Sequence, residues 1–225
     1  MSLILAIRAN GKTYFMADRR VLAGAVIKRD QNKLFILSSK ANGRDIDITV
    51  GLCGSVRFLT LLRDPRNQEK VIAAYKEAPT IYGLVDGLMS MFTENGTGAE
   101  NDPGSQGSYN LRMAIGLGDE LYEVTRDLII DKVPSGELAA VGSGSIIATP
   151  FWAGAHGVAG HPGITRYVLP NGSDKYETRA DASTVLLDDN YYRNQLQAVY
   201  DYVTRVDSGV GNVTDFYSYH MQVPA

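Results

Sequence analysis

The pair Asn10-Gly11, set between two short apolar runs, is the feature that most restricts what this chain can fold into. Both residues tolerate positive φ, as a tight two-residue hairpin turn requires, so residues 3–7 and 13–17 are expected to be paired antiparallel strands. Asn42-Gly43 repeats the signal between residues 33–37 and 45–52. The second of those runs alternates polar and apolar residues, as a half-buried strand does. Asp18-Arg19-Arg20 closes the first hairpin, and the residues up to Lys33 read as a link. The chain therefore opens on two hairpins.

Helical patterns follow. Ser55 is an N-cap candidate for a helix over 56–62, and Pro65 either interrupts that helix or starts its continuation through 68–78. Pro79-Thr80 then opens a helix over 81–92, with apolar residues at 81, 84, 85, 88, 89 and 92. Gly83 and Gly87, four apart on one face, predict close approach of a neighbouring helix. Residues 93–109 form a polar, glycine-rich loop. Strands return at 111–117 and 120–125, joined through Gly118-Asp119, and again at 138–141. A helix is expected over 146–155 despite Pro150, and 156–187 is turn-rich. Asp188 can cap a helix running to about residue 206, and 213–221 supplies a last strand. Strands and helices that come in separate groups predict an α+β layered domain spanning 1–225, with no repeat and no dividing linker.

Composition removes several function classes. The 225 residues are 44% hydrophobic, enough to bury a core without metals or disulfides. With 22 Lys+Arg against 25 Asp+Glu the net charge is −3, which argues against a nucleic-acid or polybasic membrane binder. A single cysteine, Cys53, excludes an internal disulfide and a multi-thiolate zinc site. The three histidines, His156, His161 and His220, have too few ligating neighbours for a metal cluster, so no metal or cofactor is expected. No apolar run is long enough to cross a bilayer. The start, Met1 to Arg8, has no basic stretch and no small-residue cleavage site, so a cytoplasmic chain without a signal peptide is expected. Gly142-Ser143-Gly144 begins like a dinucleotide fingerprint, but Ile147 stands where its third glycine belongs. Asn95, Asn171 and Asn212 match the glycosylation pattern by chance. Tyr191, Tyr192, Tyr200 and Tyr202 share the late helix and suit packing or subunit contact.

Ser2 offers a chemistry that needs neither histidine nor metal. Methionine removal is favoured when the next residue is small, and a terminal serine carries its own base. Its α-amine, with a reference pKa of about 7.7–8.0, can accept the hydroxyl proton. A nearby cation would keep that amine neutral, and a carboxylate would hold the cation.

Several motifs supply such groups in order. They are Ser2-Leu3-Ile4-Leu5-Ala6-Ile7-Arg8, Gly11-Lys12, Phe15-Met16-Ala17-Asp18, Lys33-Leu34-Phe35, Val50-Gly51-Leu52-Cys53-Gly54, Ala140 through Ser145, and Val206-Asp207-Ser208-Gly209. Together they cover essentially the whole chain and resemble the proteasome family, the β-type subunits and the bacterial HslV peptidase. The resemblance implies a four-layer αββα sandwich of two antiparallel sheets flanked by helices. It implies Ser2 as nucleophile in place of the usual threonine, Lys33 lowering the pKa of nucleophile and amine, and Asp18 positioning Lys33. Gly51 would offer its N–H to the oxyanion, and Ser145 and Asp207 would complete the network around the amine. Thr49, Val50 and Cys53 would line a neutral, moderately apolar pocket for the side chain before the cleaved bond. The implied partners are copies of this chain in a ring or stacked rings and a peptide or unfolded polypeptide, with an ATPase regulator left open. Nucleic acid and membrane are not among them.

The chain also departs from the family. Val210 stands where a serine is common, the interval from Ser145 to Asp207 is long, and the segments 93–109 and 161–187 are enlarged. With Met1 attached, the Ser2 nitrogen is an amide and no base. Three readings follow: a peptidase inside a homo-oligomeric ring, a catalytically inactive ring-forming subunit, and a non-proteolytic amidohydrolase or acyl-transferase.

Overall fold

The computed structural model describes residues 2–23, 26–41, 44–97, 111–156, 164–168, 174–178, 189–207, 210 and 214–220. Met1, the Asn42-Gly43 turn, Asp188 and most of the loop expected over 93–109 lie outside them. The first hairpin forms as its turn chemistry predicts: β1 (Ile4–Ala9) pairs antiparallel with β2 (Lys12–Asp18), with both Asn10 and Gly11 at positive φ. Between it and the second hairpin, the stretch read as a link holds a further pair, β3 (Arg20–Ala23) and β4 (Val26–Asp30). That pair contains a register shift between Val21 and Leu22, which breaks the simple alternation a sequence pattern relies on.

The second expected hairpin is β5 (Leu34–Ala41) with β6 (Arg44–Gly54). Three helices come next, α1 (Val56–Arg63), α2 (Pro65–Glu77) and α3 (Ile81–Glu94). Ser55 caps α1 through its side chain, as expected. Of the two roles open to Pro65 it takes the second: it starts α2, where its missing N–H costs nothing, and the Asp64 side chain caps it. Strands β7 (Leu111–Leu117), β8 (Glu120–Val124), β9 (Ile130–Lys132) and β10 (Leu138–Val141) follow. Helix α4 (Ser145–His156) runs through Pro150. The segment read as turn-rich contains a hairpin, β11 (Ile164–Val168) with β12 (Asp174–Thr178). Helix α5 (Asp189–Val206) and strand β13 (Thr214–His220) complete the order.

Two antiparallel sheets dominate, β10-β1-β2-β13 and β5-β6-β7-β8-β9. Their period-2 alternation sorts side chains into three seams. Leu3, just before β1, and Leu5 and Ile7 on it join Trp152 of α4 and Leu196 and Val203 of α5. Ile4 and Ala6 turn the other way, meeting Leu34, Cys53, Ala114 and Leu121 of the second sheet. That sheet's far face, including Leu37, Ile48, Val50 and Leu52, packs under α1, α2 and α3. Helices, sheet, sheet, helices: the architecture is α+β in four layers, as the resemblance implied. No helix among the described residues is long and apolar enough to cross a membrane.

Candidate active site

The start of β1 and the end of β2 lie side by side, which brings Ser2 to Asp18. Asp18 donates its backbone N–H to Leu3 O at 3.0 Å. Its side chain accepts from Leu3 N at 2.7 Å through Oδ1 and from Arg20 N at 3.1 Å through Oδ2. Lys33, just before β5, reaches the same carboxylate at 2.8 Å. The two side chains are 0% and 1% exposed, so this is a fully buried ion pair.

A buried charge is tolerated when its hydrogen-bonding capacity is filled. An ammonium has three protons, and Lys33 Nζ has three acceptors: Asp18 Oδ1, Ser2 Oγ at 2.9 Å and Arg20 O at 2.7 Å. The cation is thereby held against the Ser2 hydroxyl oxygen with no freedom to swing away. Because Lys33 can only donate, Ser2 Oγ accepts here and keeps its own proton for another partner.

The opposite wall is the segment between β10 and α4. Ser2 N donates to Ser143 Oγ at 3.1 Å, and Gly144 N donates to Ser2 O at 3.2 Å. Gly142 has φ +105°, and a Cβ there would stand 2.2 Å from Ser2 O. Gly142-Ser143-Gly144 is thus a backbone cradle for Ser2, and its glycines serve close approach, not a nucleotide. The hydroxyl that meets the Ser2 nitrogen belongs to Ser143. Ser145 donates to Gly142 O at 2.7 Å instead, tying the first turn of α4. Both serines were visible in the sequence, and only the turn at Gly142 decides between them.

A cavity of about 410 Å³ opens beside Ser2 and Lys33. Of the three residues expected to line a substrate pocket, Cys53 does so. Val50 is fully buried under the helices, and Thr49 is buried with a hydroxyl that has no hydrogen-bond partner among the described residues. Gly51 sits inside β6, opposite Leu34 on one side and Ala114 on the other. A Cβ there would stand 2.8 Å from Ile4 Cγ2, and the cavity is reached by its successors Leu52, Cys53 and Gly54. Asp207 follows α5, its N–H bonded to Val203 O, and is not among the lining residues. Val210, where the family commonly has a serine, is buried beside α5 and completes that seam.

The lining is not neutral. Arg112 stands opposite Cys53 in the ladder of β6 and β7, and Arg126 follows β8; both line the cavity. Neither was singled out from the sequence, because cross-strand register brings them in from far along the chain. Burial pushes the Cys53 thiol up to about 12, against the opposing pull of the Lys33 charge. The thiol therefore stays protonated at neutral pH, a small buried group and not a nucleophile. No group of three His, Cys, Asp or Glu side chains that could hold a metal occurs among the described residues.

No family model and no curated protein sequence matches the chain. Solved structures do. HslV from Trypanosoma brucei superposes with a TM-score of 0.53 at 15% identity, over 96% of this chain and 98% of that one. The Anbu complex of Pseudomonas aeruginosa, solved as a helical assembly, gives 0.59 at 13% identity over 97% and 81%. BPH from Thiobacillus denitrificans, solved with epoxomicin, gives 0.58 at 13% identity over 98% and 100%. The chain has the proteasome-family fold. Within that fold, Ser2 and Lys33 line a cavity between the sheets, α1 and α4, and the buried Asp18 holds Lys33 from behind.

Proposed function

We propose that the chain, as one proteasome-like domain over 1–225, is an N-terminal-nucleophile peptidase that works in a homo-oligomeric assembly. The observation that carries the reading is the buried Lys33 ammonium, 2.9 Å from Ser2 Oγ and locked by Asp18. Removal of Met1 turns the Ser2 amide into a primary amine beside its own hydroxyl. Ser2 Oγ then passes its proton to that amine and attacks the peptide carbonyl, while Lys33 stabilises the negative charge developing on Oγ. The C–N bond breaks, the departing amine takes the proton from the α-ammonium, and the acyl group remains as an ester on Ser2. Water gives a proton to the same amine and attacks the ester, and Oγ recovers its proton as the acid leaves. Ser143 orients the amine through its hydroxyl. The donor for the oxyanion is then to be found at the end of β6 that lines the cavity, at Cys53 and Gly54, because Gly51, the donor the resemblance offered, is paired inside the strand with Leu34 and Ala114.

Self-association is supported by the helical assembly of the Anbu neighbour. Copies of this chain and a peptide substrate are the partners in this reading, and it needs no cofactor. Light scattering on the eluted protein tests the assembly, and a monomer at micromolar concentration would count against it. Intact-mass measurement of untagged protein tests the chemistry. Quantitative retention of Met1 overturns the peptidase reading and leaves the second one, an inactive ring-forming subunit. With Met1 removed, Ser2→Ala and Lys33→Ala are each expected to abolish peptide cleavage, and unchanged rates in either would refute the mechanism.

A further inference from the structure

We infer that the cavity beside Ser2 selects an acidic side chain, glutamate or aspartate, immediately before the cleaved bond; this rests on the peptidase reading above and names its substrate class. Every charged side chain lining the cavity is cationic: Lys33, Arg112 and Arg126. Lys33 is fully used by Asp18, Ser2 and Arg20, but the two arginines are not. Both guanidiniums are exposed, and neither forms an ion pair or hydrogen bond among the described residues. Two neighbouring carboxylates leave them free. Glu123, which feels the Arg112 charge, makes no ion pair with it, and Asp127, next to Arg126, makes none either.

The backbone adds to the same potential. Helix α1 begins at Val56 and helix α4 at Ser145, and both first turns line the cavity, so two positive helix ends face it. Between them, Leu52, Leu59 and Leu111 give an apolar floor. A glutamate fits that arrangement in parts: its methylenes lie on the floor and its carboxylate reaches guanidinium forks that can bind it in two-point fashion. A lysine or arginine in the same place would meet only like charge. The neutral pocket expected from Thr49, Val50 and Cys53 gives way to a cationic one, since two of those residues are buried elsewhere and two arginines take their place.

The test uses peptides that differ only at the residue before the cleaved bond, glutamate, glutamine, leucine or lysine, with the full chain. Cleavage is read as kcat/KM on the active protein. Binding is read separately, by fluorescence anisotropy of the labelled peptides on the Ser2→Ala variant, which cannot turn over. Glutamate is expected to exceed its isostere glutamine by about tenfold in both readouts, the range of one charge-assisted hydrogen-bond pair. Arg112→Gln with Arg126→Gln should remove that preference while the exposed positions leave folding intact, checked by the thermal transition. Equal binding of glutamate and glutamine peptides, preference for lysine, or binding of none overturns the inference. Glutamate-selective binding without any cleavage upholds it and refutes the peptidase reading; cleavage without glutamate preference does the reverse.

Discussion

Lys33 and Asp18 form the pair on which both the stability of the β1–β2 edge and the reactivity of Ser2 depend. Removing either partner leaves the other charge buried without compensation, at a cost of about 3 to 5 kcal/mol. Lys33→Ala and Asp18→Ala should each lower the urea midpoint sharply, while the double variant should be less destabilised than the sum of the two, a coupling read from the full cycle. The glycine cradle makes a second prediction. Gly142→Ala must hold a side chain at φ +105° and also displace Ser2 O, whereas Gly136→Ala, at φ +85°, meets nothing within 4 Å. Strain of about 1–3 kcal/mol is common to both. Only the Gly142 variant should also lose cleavage by Ser2, so comparing the two separates backbone strain from loss of the nucleophile's position. Ser2, Asp18 and Lys33 were named together only through the family resemblance, and the structure brings them within hydrogen-bond distance where two readable hairpins begin and end. The choice of Ser143 over Ser145 was not legible in the sequence, since it hangs on one glycine's torsion angle.

At the scale of elements, the packing of α3 on α2 follows the spacing of two glycines. Gly87 lies over α2, where a Cβ would stand 2.7 Å from Ala74 Cβ, and a Cβ at Gly83 would meet Ala78 O at 2.2 Å. On an exposed helix a glycine-to-alanine change gains about 1 kcal/mol. Here Gly87→Ala should instead cost about 1–3 kcal/mol, because the helices must separate. Adding Ala74→Gly should recover part of that loss, although on the wild type Ala74→Gly is itself destabilising; denaturant melts of the four proteins give the sign of the coupling. Failure of Ala74→Gly to rescue would place the clash elsewhere. The helices with strong apolar periodicity and the hairpins with Asn-Gly turns were readable in this way. The pair β3–β4 was not, because its bulge breaks the alternation; at Pro65 stopping a helix and starting one both stayed open, because the two differ only in what precedes the proline. Asp64, an N-cap residue directly before Pro65, carried that information.

Across the whole molecule, near-neutral total charge conceals a local field, because the two arginines of the cavity are cancelled in the total by carboxylates elsewhere. The same layered burial sets how the molecule responds to alkali. Burial raises the Cys53 thiol to about 12 and, with Glu120 beside it, the Tyr122 phenol to about 12; the Tyr200 phenol is pushed up as well. Each is an acid that keeps its proton longer in the folded chain than in the unfolded one. Above the ordinary thiol value of 9.0, the unfolded state therefore binds fewer protons than the native state, and stability falls as pH rises. Cys53 responds first, because its unfolded value is the lowest of the three. Its contribution is complete below pH 9 and declines by on the order of 1 kcal/mol per pH unit up to its folded value. Urea unfolding at pH 8, 9 and 10 should show little change over the first interval and a clear loss over the second. Cys53→Ala should be less stable at pH 8, having lost a packed side chain, yet lose less between pH 9 and 10. Parallel slopes for the two proteins in that interval would show that the thiol is free to ionise in the folded state, contrary to its placement between the sheets.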